Sequence, residues 1–148
     1  MRSESVGSRG LEVFSVSSRG YYGLLALYEL GRHHGTAPIQ ARTICDAHGT
    51  PQRYVEQLLL ILKKAGFVQS YRGREGGYSL ALPPSGIKIS DVLRILEGEL
   101  ALGHNGKAGA LDFFWNRVER GIQDVVSITL EDLVLDKQRQ DREVNYSI

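Results

Sequence analysis

Gln52, Arg53 and Glu56 lie within little more than one helical turn of one another, directly after Thr50 and Pro51. On a helix these three positions share a side. Their chemistry suits the base edges of a nucleic-acid duplex. Glutamine pairs bidentately with adenine, arginine with guanine, and a carboxylate accepts from the cytosine amine. Pro51 opens the same helix end and is grouped with them. A solvated helix face can have this composition too, so the trio alone decides nothing. A second constellation is more specific. In RGREGG, Arg72 and Arg74 flank Gly73 at what reads as a hairpin tip. There the backbone can approach a ligand closely and positive charge can enter a minor groove. A third set, Ser17, Ser18 and Arg19, sits at a helix start and could hold a backbone phosphate through hydroxyl, backbone N–H and guanidinium groups. Ordinary capping explains the serines equally well.

Other chemistries are poorly served. RGREGG lacks the Lys-Ser/Thr of a nucleotide-binding loop, and no helix follows it. No G-x-S-x-G elbow, paired metal ligands or cofactor fingerprint occurs, so an enzyme is not expected. Cys45 is the only cysteine, which rules out an intramolecular disulfide. It reads as a small packed hydrophobe on the apolar face of a short helix. Cys45-x-x-His48 supplies two ligands, and the adjacent His33 and His34 point in different directions, which falls short of a structural zinc site. A polar interhelical turn accounts for these residues, and neither a metal nor a cofactor is expected.

The elements needed to position the candidate residues can be read from periodicity and caps. Ser18 predicts the start of a helix over 19–31, with Tyr21, Leu24, Leu25 and Tyr28 on its apolar face, Leu27 and Leu30 widening it, and Gly31 as a stop. A short helix over 39–47 carries Ile39, Ala41, Ile44 and Cys45. Thr50 and Pro51 open a helix ending at Gly66, with Val55, Leu58, Leu59 and Leu62 inward and Lys63 and Lys64 at its negative end. FVQSY and GYSLAL predict two strands joined by RGREG. Helix, short helix, turn, longer helix and hairpin make a winged helix-turn-helix. Ser90 caps a helix over 91–97 with Val92, Ile95 and Leu96 on one face, and a glycine-rich loop follows at 98–109. A longer helix over 110–126 repeats Leu111, Trp115, Val118, Ile122 and Val125 in a heptad-like seam. Thr129 caps a last short helix, TLEDLVL, before a polar tail ending in Tyr146, Ser147 and Ile148. The resulting class is mostly α with a small β-hairpin wing and a long C-terminal helix. Its division is a leader (1–16), a winged helix-turn-helix (17–98), a loop (99–109) and a unit of long helix plus tail (110–148).

The net charge of +1 over 148 residues conceals an asymmetry. Residues 17–82 hold eight Lys/Arg against four Asp/Glu, whereas residues 83–148 hold eight against eleven. A basic half joined to an acidic one suits a duplex-binding module with an assembly module. No apolar run is long enough for a membrane span or a secretory signal, so a cytoplasmic protein is expected.

Three segments, VSSRGYYGLLALYEL (16–30), RYVEQLLLILKKAGFVQSYRGREGGYSLALPP (53–84) and ISDVLRILEG (89–98), resemble the Rrf-two family of bacterial winged helix-turn-helix regulators in order and spacing. The resemblance implies a homodimer held by the helix near 110–126, binding a palindromic operator on double-stranded DNA and acting as a transcription repressor. It implies that Glu56 reads a base and that Arg72 enters the minor groove. Gln52 and Arg53 differ from the small polar residues some members carry, so the operator sequence does not transfer. Cluster-binding members carry three cysteines in the loop after the fourth helix. Here residues 98–112 hold none, and only His104 is a plausible ligand, so no iron–sulfur cluster of that type is expected. Cluster-free members include a repressor of cysteine metabolism controlled through a complex with cysteine synthase. A polar tail ending in Tyr146 and Ile148 suits capture of its carboxylate by such an enzyme. A winged-helix adaptor working only through protein contacts is the alternative.

Overall fold

A computed structural model describes residues 15–99 and 108–146. The element order is α1 (Ser18–Arg32), α2 (Ala41–His48), α3 (Gln52–Lys64), β1 (Val68–Tyr71), β2 (Gly77–Leu80), a 3-10 turn (Pro84–Gly86), α4 (Ile89–Glu97), α5 (Asp112–Val126) and α6 (Leu130–Tyr146). The two strands form an antiparallel hairpin with Val68 opposite Leu80 and Tyr71 opposite Gly77. Most of the proposed leader, the centre of the glycine-rich loop with His104, and Ile148 lie outside the described residues.

One apolar cluster holds these elements together. Leu58, Leu59 and Leu62 of α3 meet Ala26, Leu27 and Leu30 of α1, Ile44 of α2, and Val92 and Leu96 of α4. Each leucine removed from water contributes about 1.5–3 kcal/mol. Val55, Leu58, Leu59 and Leu62 form the buried face of α3, as the period of its sequence predicts. On α1 the predicted face packs only in part: Leu27 and Leu30 are buried, Leu24 and Tyr28 are partly buried against the cluster, and the contact extends over glycines that were not predicted. It runs through Gly20, Gly23, Ala26, Leu27, Leu30 and Gly31, while Tyr21 is exposed. The reason is close approach. A Cβ on Gly23 would sit 2.6 Å from Leu96 Cδ1, and one on Gly31 would sit 3.0 Å from Leu130 Cδ2. Gly31 therefore lies inside α1, where α6 crosses, and does not stop the helix. On α4 the inward residues are Ile89, Val92 and Leu96, and Ile95 faces out.

The C-terminal segment also differs from its expectation. Thr129 does start α6: Asp132 N–H donates to Thr129 Oγ1 at 3.1 Å and Thr129 N–H donates to Asp132 Oδ2 at 3.0 Å. This reciprocal cap is a capping box. However, the helix continues to Tyr146, so the polar stretch after Leu135 is helical up to that residue. Lys137–Asp141 and Arg139–Asp136 pairs line that stretch. Pairs at such spacing support helix where no apolar face does. Leu130 and Val134 belong to the same cluster as α1. The boundary placed near residue 110 thus does not divide the core, because the chain returns to it after α5.

A single charged side chain is buried among the described residues. Glu29 accepts from His48 Nε2 at 2.9 Å and from Arg32 Nη1 at 3.2 Å, with His33 Nε2 at 3.5 Å. The first bond joins α1 to the C-terminal residue of α2. A buried carboxylate needs such partners to offset its lost hydration.

Candidate nucleic-acid interface

The turn between α2 and α3 sets the aim of the third helix. Gly49 takes a left-handed conformation (φ 63°), which ends α2 at low steric cost. Pro51 occupies the N-cap position of α3, and Thr50 does not cap it. Among the described residues the buried Thr50 hydroxyl has no hydrogen-bond partner. Gln52, Arg53 and Glu56 are all exposed on the first turns of α3, so the structure brings these predicted residues to one outward surface. Gln52 Nε2 donates to Glu56 Oε1 at 3.1 Å.

The wing is fastened to the same side of the molecule by three links. Tyr78 of β2 exchanges both main-chain hydrogen bonds with Ile39, at 2.9 and 2.7 Å, just before α2. Gln40 Nε2 donates to the Arg74 carbonyl at 3.2 Å, which pins the hairpin tip. Lys63 at the end of α3 donates to Ser70 Oγ of β1 at 2.6 Å. Gly77 is required at the first link. Its φ is 143°, and a Cβ there would lie 2.5 Å from the Ile39 carbonyl oxygen. Partial burial, and then the nearby Glu56 carboxylate, hold the Tyr78 phenol above its usual range. Glu56 thus lies within electrostatic reach of Tyr78 on β2. Arg72, Gly73 and Arg74 are exposed at the tip, and Gly73 has φ 97°. Gln40 was not singled out in the sequence. Its position one residue before α2 is visible there, but its reach to Arg74 depends on the tertiary link.

The helix start at Ser17, Ser18 and Arg19 is arranged differently from its expectation. Glu97 Oε1 accepts from Ser17 N–H at 3.0 Å, Ser17 Oγ at 2.5 Å and Gly20 N–H at 2.9 Å. The end of α4 thus supplies the anion that a helix N-terminus attracts. Ser17 is engaged within the chain, and its donors are not open to a phosphate. Ser18 and Arg19 remain exposed beside it.

The α5 helix has no buried residue within the chain. Leu111 is 59% exposed and Val125 73%, while Trp115 is 36% exposed and stacks edge-on with Phe114. Val118 and Ile122 are half-buried. Phe113 and Phe114, which the seam reading left out, add exposed aromatic surface. Exposed apolar surface gathered on one helix is the kind that contact surfaces present. Tyr146 ends α6 almost fully exposed.

Comparison with known proteins converges on one family. Residues 16–136 match the family model described as "Rrf2: Iron-dependent Transcriptional regulator". The HTH-type transcriptional regulator CymR of Bacillus subtilis is 36% identical over 121 residues, spanning 80% of this chain and 88% of the relative. The solved structure of B. subtilis CymR, the global cysteine regulator, superposes with a TM-score of 0.76 at 35% identity, over 82% of this chain and 96% of that one. The structure of T. potens IscR superposes with a TM-score of 0.73 at 38% identity, over 84% and 88%. A cysteine-held iron–sulfur cluster, one form that iron dependence can take, does not fit the residues present. Cys45 is the sole thiol and is buried on α2 within the core. Among the described residues no three His, Cys, Asp or Glu side chains converge as a metal site. An iron–sulfur cluster requires several thiolates. With a winged helix-turn-helix, an exposed polar start to α3 and a matching family model over most of its length, the chain belongs to the Rrf2 family of transcriptional regulators.

Proposed function

We propose that this regulator binds a palindromic operator as a homodimer and represses transcription, with the first turn of α3 in the major groove and the wing tip in the adjacent minor groove. Arg53, Gln52 and Glu56, led in by Pro51, face base edges; Arg72 and Arg74, around Gly73, enter the minor groove; Ser18 and Arg19 lie beside a phosphate. The observation that carries this reading is the joint exposure of Gln52, Arg53 and Glu56 at the start of α3, with the wing tied to the end of that helix by Lys63–Ser70 and to the segment before α2 by Tyr78–Ile39 and Gln40–Arg74. Leu111, Trp115, Val118, Ile122 and Val125 form the dimer seam, supported by the exposure of Leu111, Trp115 and Val125 and by the lack of any fully buried residue on α5. Residues 17–98 with the start of α6 act as the DNA-binding unit, and α5 as the assembly element. A cytoplasmic location follows from the role in transcription, and no described helix is long and apolar enough to cross a membrane.

The test is fluorescence anisotropy with duplexes from the gene's own upstream region. The expected log–log salt slope is steeper than about −3, since each neutralised phosphate contributes about −0.9. Salt-insensitive binding, or none at low salt, would reject the reading. The adaptor alternative gains nothing from the Bacillus subtilis relative, which is named as a transcriptional regulator. The similarity to a global cysteine regulator keeps one narrower partner in view, a metabolic enzyme such as cysteine synthase, docking at Tyr146 and Ile148. Binding to purified cysteine synthase that is unchanged on deleting Ile148 would reject it.

A further inference from the structure

The wing tip carries its two arginines on a backbone with little local reason to hold one shape. Gly73 and Gly76 flank Arg74 and Glu75, and Gly73 has φ 97°. Glycine has more conformational freedom to lose than any other residue. A guanidinium on a loose loop has to be ordered when it binds, and that cost is subtracted from affinity. Two of the wing's links stop short of the tip, since Tyr78–Ile39 holds the base of β2 and Lys63–Ser70 holds β1. Gln40 reaches further, donating through Nε2 to the Arg74 carbonyl at 3.2 Å. A carbonyl only accepts, so the amide nitrogen has to be the atom facing it. That carbonyl belongs to the central peptide of a turn closed by Gly76 N–H donating to the Gly73 carbonyl at 3.0 Å. The two central residues of such a turn change conformation together when that peptide rotates. Holding it therefore fixes the backbone that carries Arg74. Gln40 is also the N-cap residue of α2, where its side chain makes no capping bond. A serine, threonine or aspartate would cap the helix there. The glutamine directs its amide to the wing instead.

We propose that Gln40 is a positioning residue for minor-groove entry. It orders the Arg74–Glu75 peptide before binding, so that Arg72 and Arg74 meet the groove on a loop already in its bound shape, and it joins the start of α2 to the wing tip. This rests on the placement of the tip in the minor groove given above.

Gln40→Met keeps the length of the side chain and removes the donor without changing charge. In a duplex bound by the full-length chain, adenines are replaced one at a time by 2,6-diaminopurine. The replacement adds an amine to the minor groove and leaves the major-groove edge of the pair as it was. At one or two adenines per half-site it should weaken wild-type binding about fivefold, as for a mismatched pair at the mild end. Gln40→Met should bind the unmodified duplex about threefold more weakly, the effect of one neutral hydrogen bond. Its penalty at the same adenines should then fall below about twofold, since most of the wing's contribution is already lost. Urea unfolding, and the ranking of base substitutions in the pairs facing α3, should both match wild type. A general loosening of the fold would move them. An undiminished diaminopurine penalty in Gln40→Met overturns the inference and leaves the wing reading standing. So does wild-type affinity in that variant, a loss of stability, or a changed ranking at the pairs facing α3. Wild-type binding with no sensitive adenine overturns the wing placement and this inference together.

Discussion

Replacing Gly20 by alanine tests how α1 and α4 are joined. In an ordinary helix interior the change would stabilise by about 0.5–1 kcal/mol, because alanine loses less backbone freedom than glycine. Here the new Cβ would lie 2.9 Å from both Cγ and Cδ of Glu97 and closer still to Oε1. Glu97 has to swing away and give up its bonds to Ser17 and to the Gly20 N–H. Those groups lie near water and rehydrate, so the loss is that of a helix cap, about 1–2 kcal/mol. The two effects nearly cancel, and Gly20→Ala alone should fall between neutral and about 1 kcal/mol destabilised. In a Glu97→Ala background nothing opposes the helix gain, and the same change should stabilise by about 0.5–1 kcal/mol. Urea unfolding of the four proteins at one fixed protomer concentration gives the coupling energy. A value of about 1–2 kcal/mol is expected. Equal stabilisation in both backgrounds would refute the contact.

Other consequences can be checked separately. Arg72→Ala should weaken binding to all duplexes by a similar factor and reduce the salt slope by about 1. Glu56→Ala should mainly broaden base preference, measured by competition among operator variants. Ile122→Asp, alone or with Trp115→Asp, should turn a dimer into a monomer by sedimentation, with operator affinity falling because two half-sites are no longer read together. His48→Ala should cost about 1–3 kcal/mol in urea unfolding, since Glu29 loses its link to α2 while still buried. The Asp132 carboxyl is held below its ordinary range, first by the Thr129 N–H and then by the Thr129 hydroxyl. Its folded value lies under its unfolded one, so its contribution is complete above the ordinary carboxylate range and disappears as pH falls through the folded value. Asp132→Asn should flatten that part of the acid limb in a stability–pH profile.

Much of this architecture could be read from periodicity because the core residues of α3 repeat at helical spacing and its polar start interrupts them. The α1 surface was less legible. Large apolar side chains mark a buried face only where the neighbour stands at ordinary distance, whereas α4 and α6 approach so closely that Gly20, Gly23 and Gly31 form the contact. The hydrophobic count favoured Tyr21, which is 60% exposed. The α6 extension was missed for a related reason: beyond Leu135 its helicity has little apolar signal and is accompanied by local charge pairs. At the proposed interface, side-chain chemistry singled out Gln52, Arg53, Glu56 and the wing arginines, and the structure leaves all of them exposed. The capture of Ser17 by Glu97, eighty residues away, is a tertiary fact that local capping rules do not contain.

The central claim is that the start of α3 and the hairpin tip face the duplex together. Photo-crosslinking from single positions tests it most directly, with the probe placed at Arg53, at Arg74 or at Arg142 near the far end of α6. Crosslinks to operator bases or backbone are expected from positions 53 and 74 and none from 142. Crosslinking from 142 by a DNA-bound protein that gives none from 53 and 74 would contradict it.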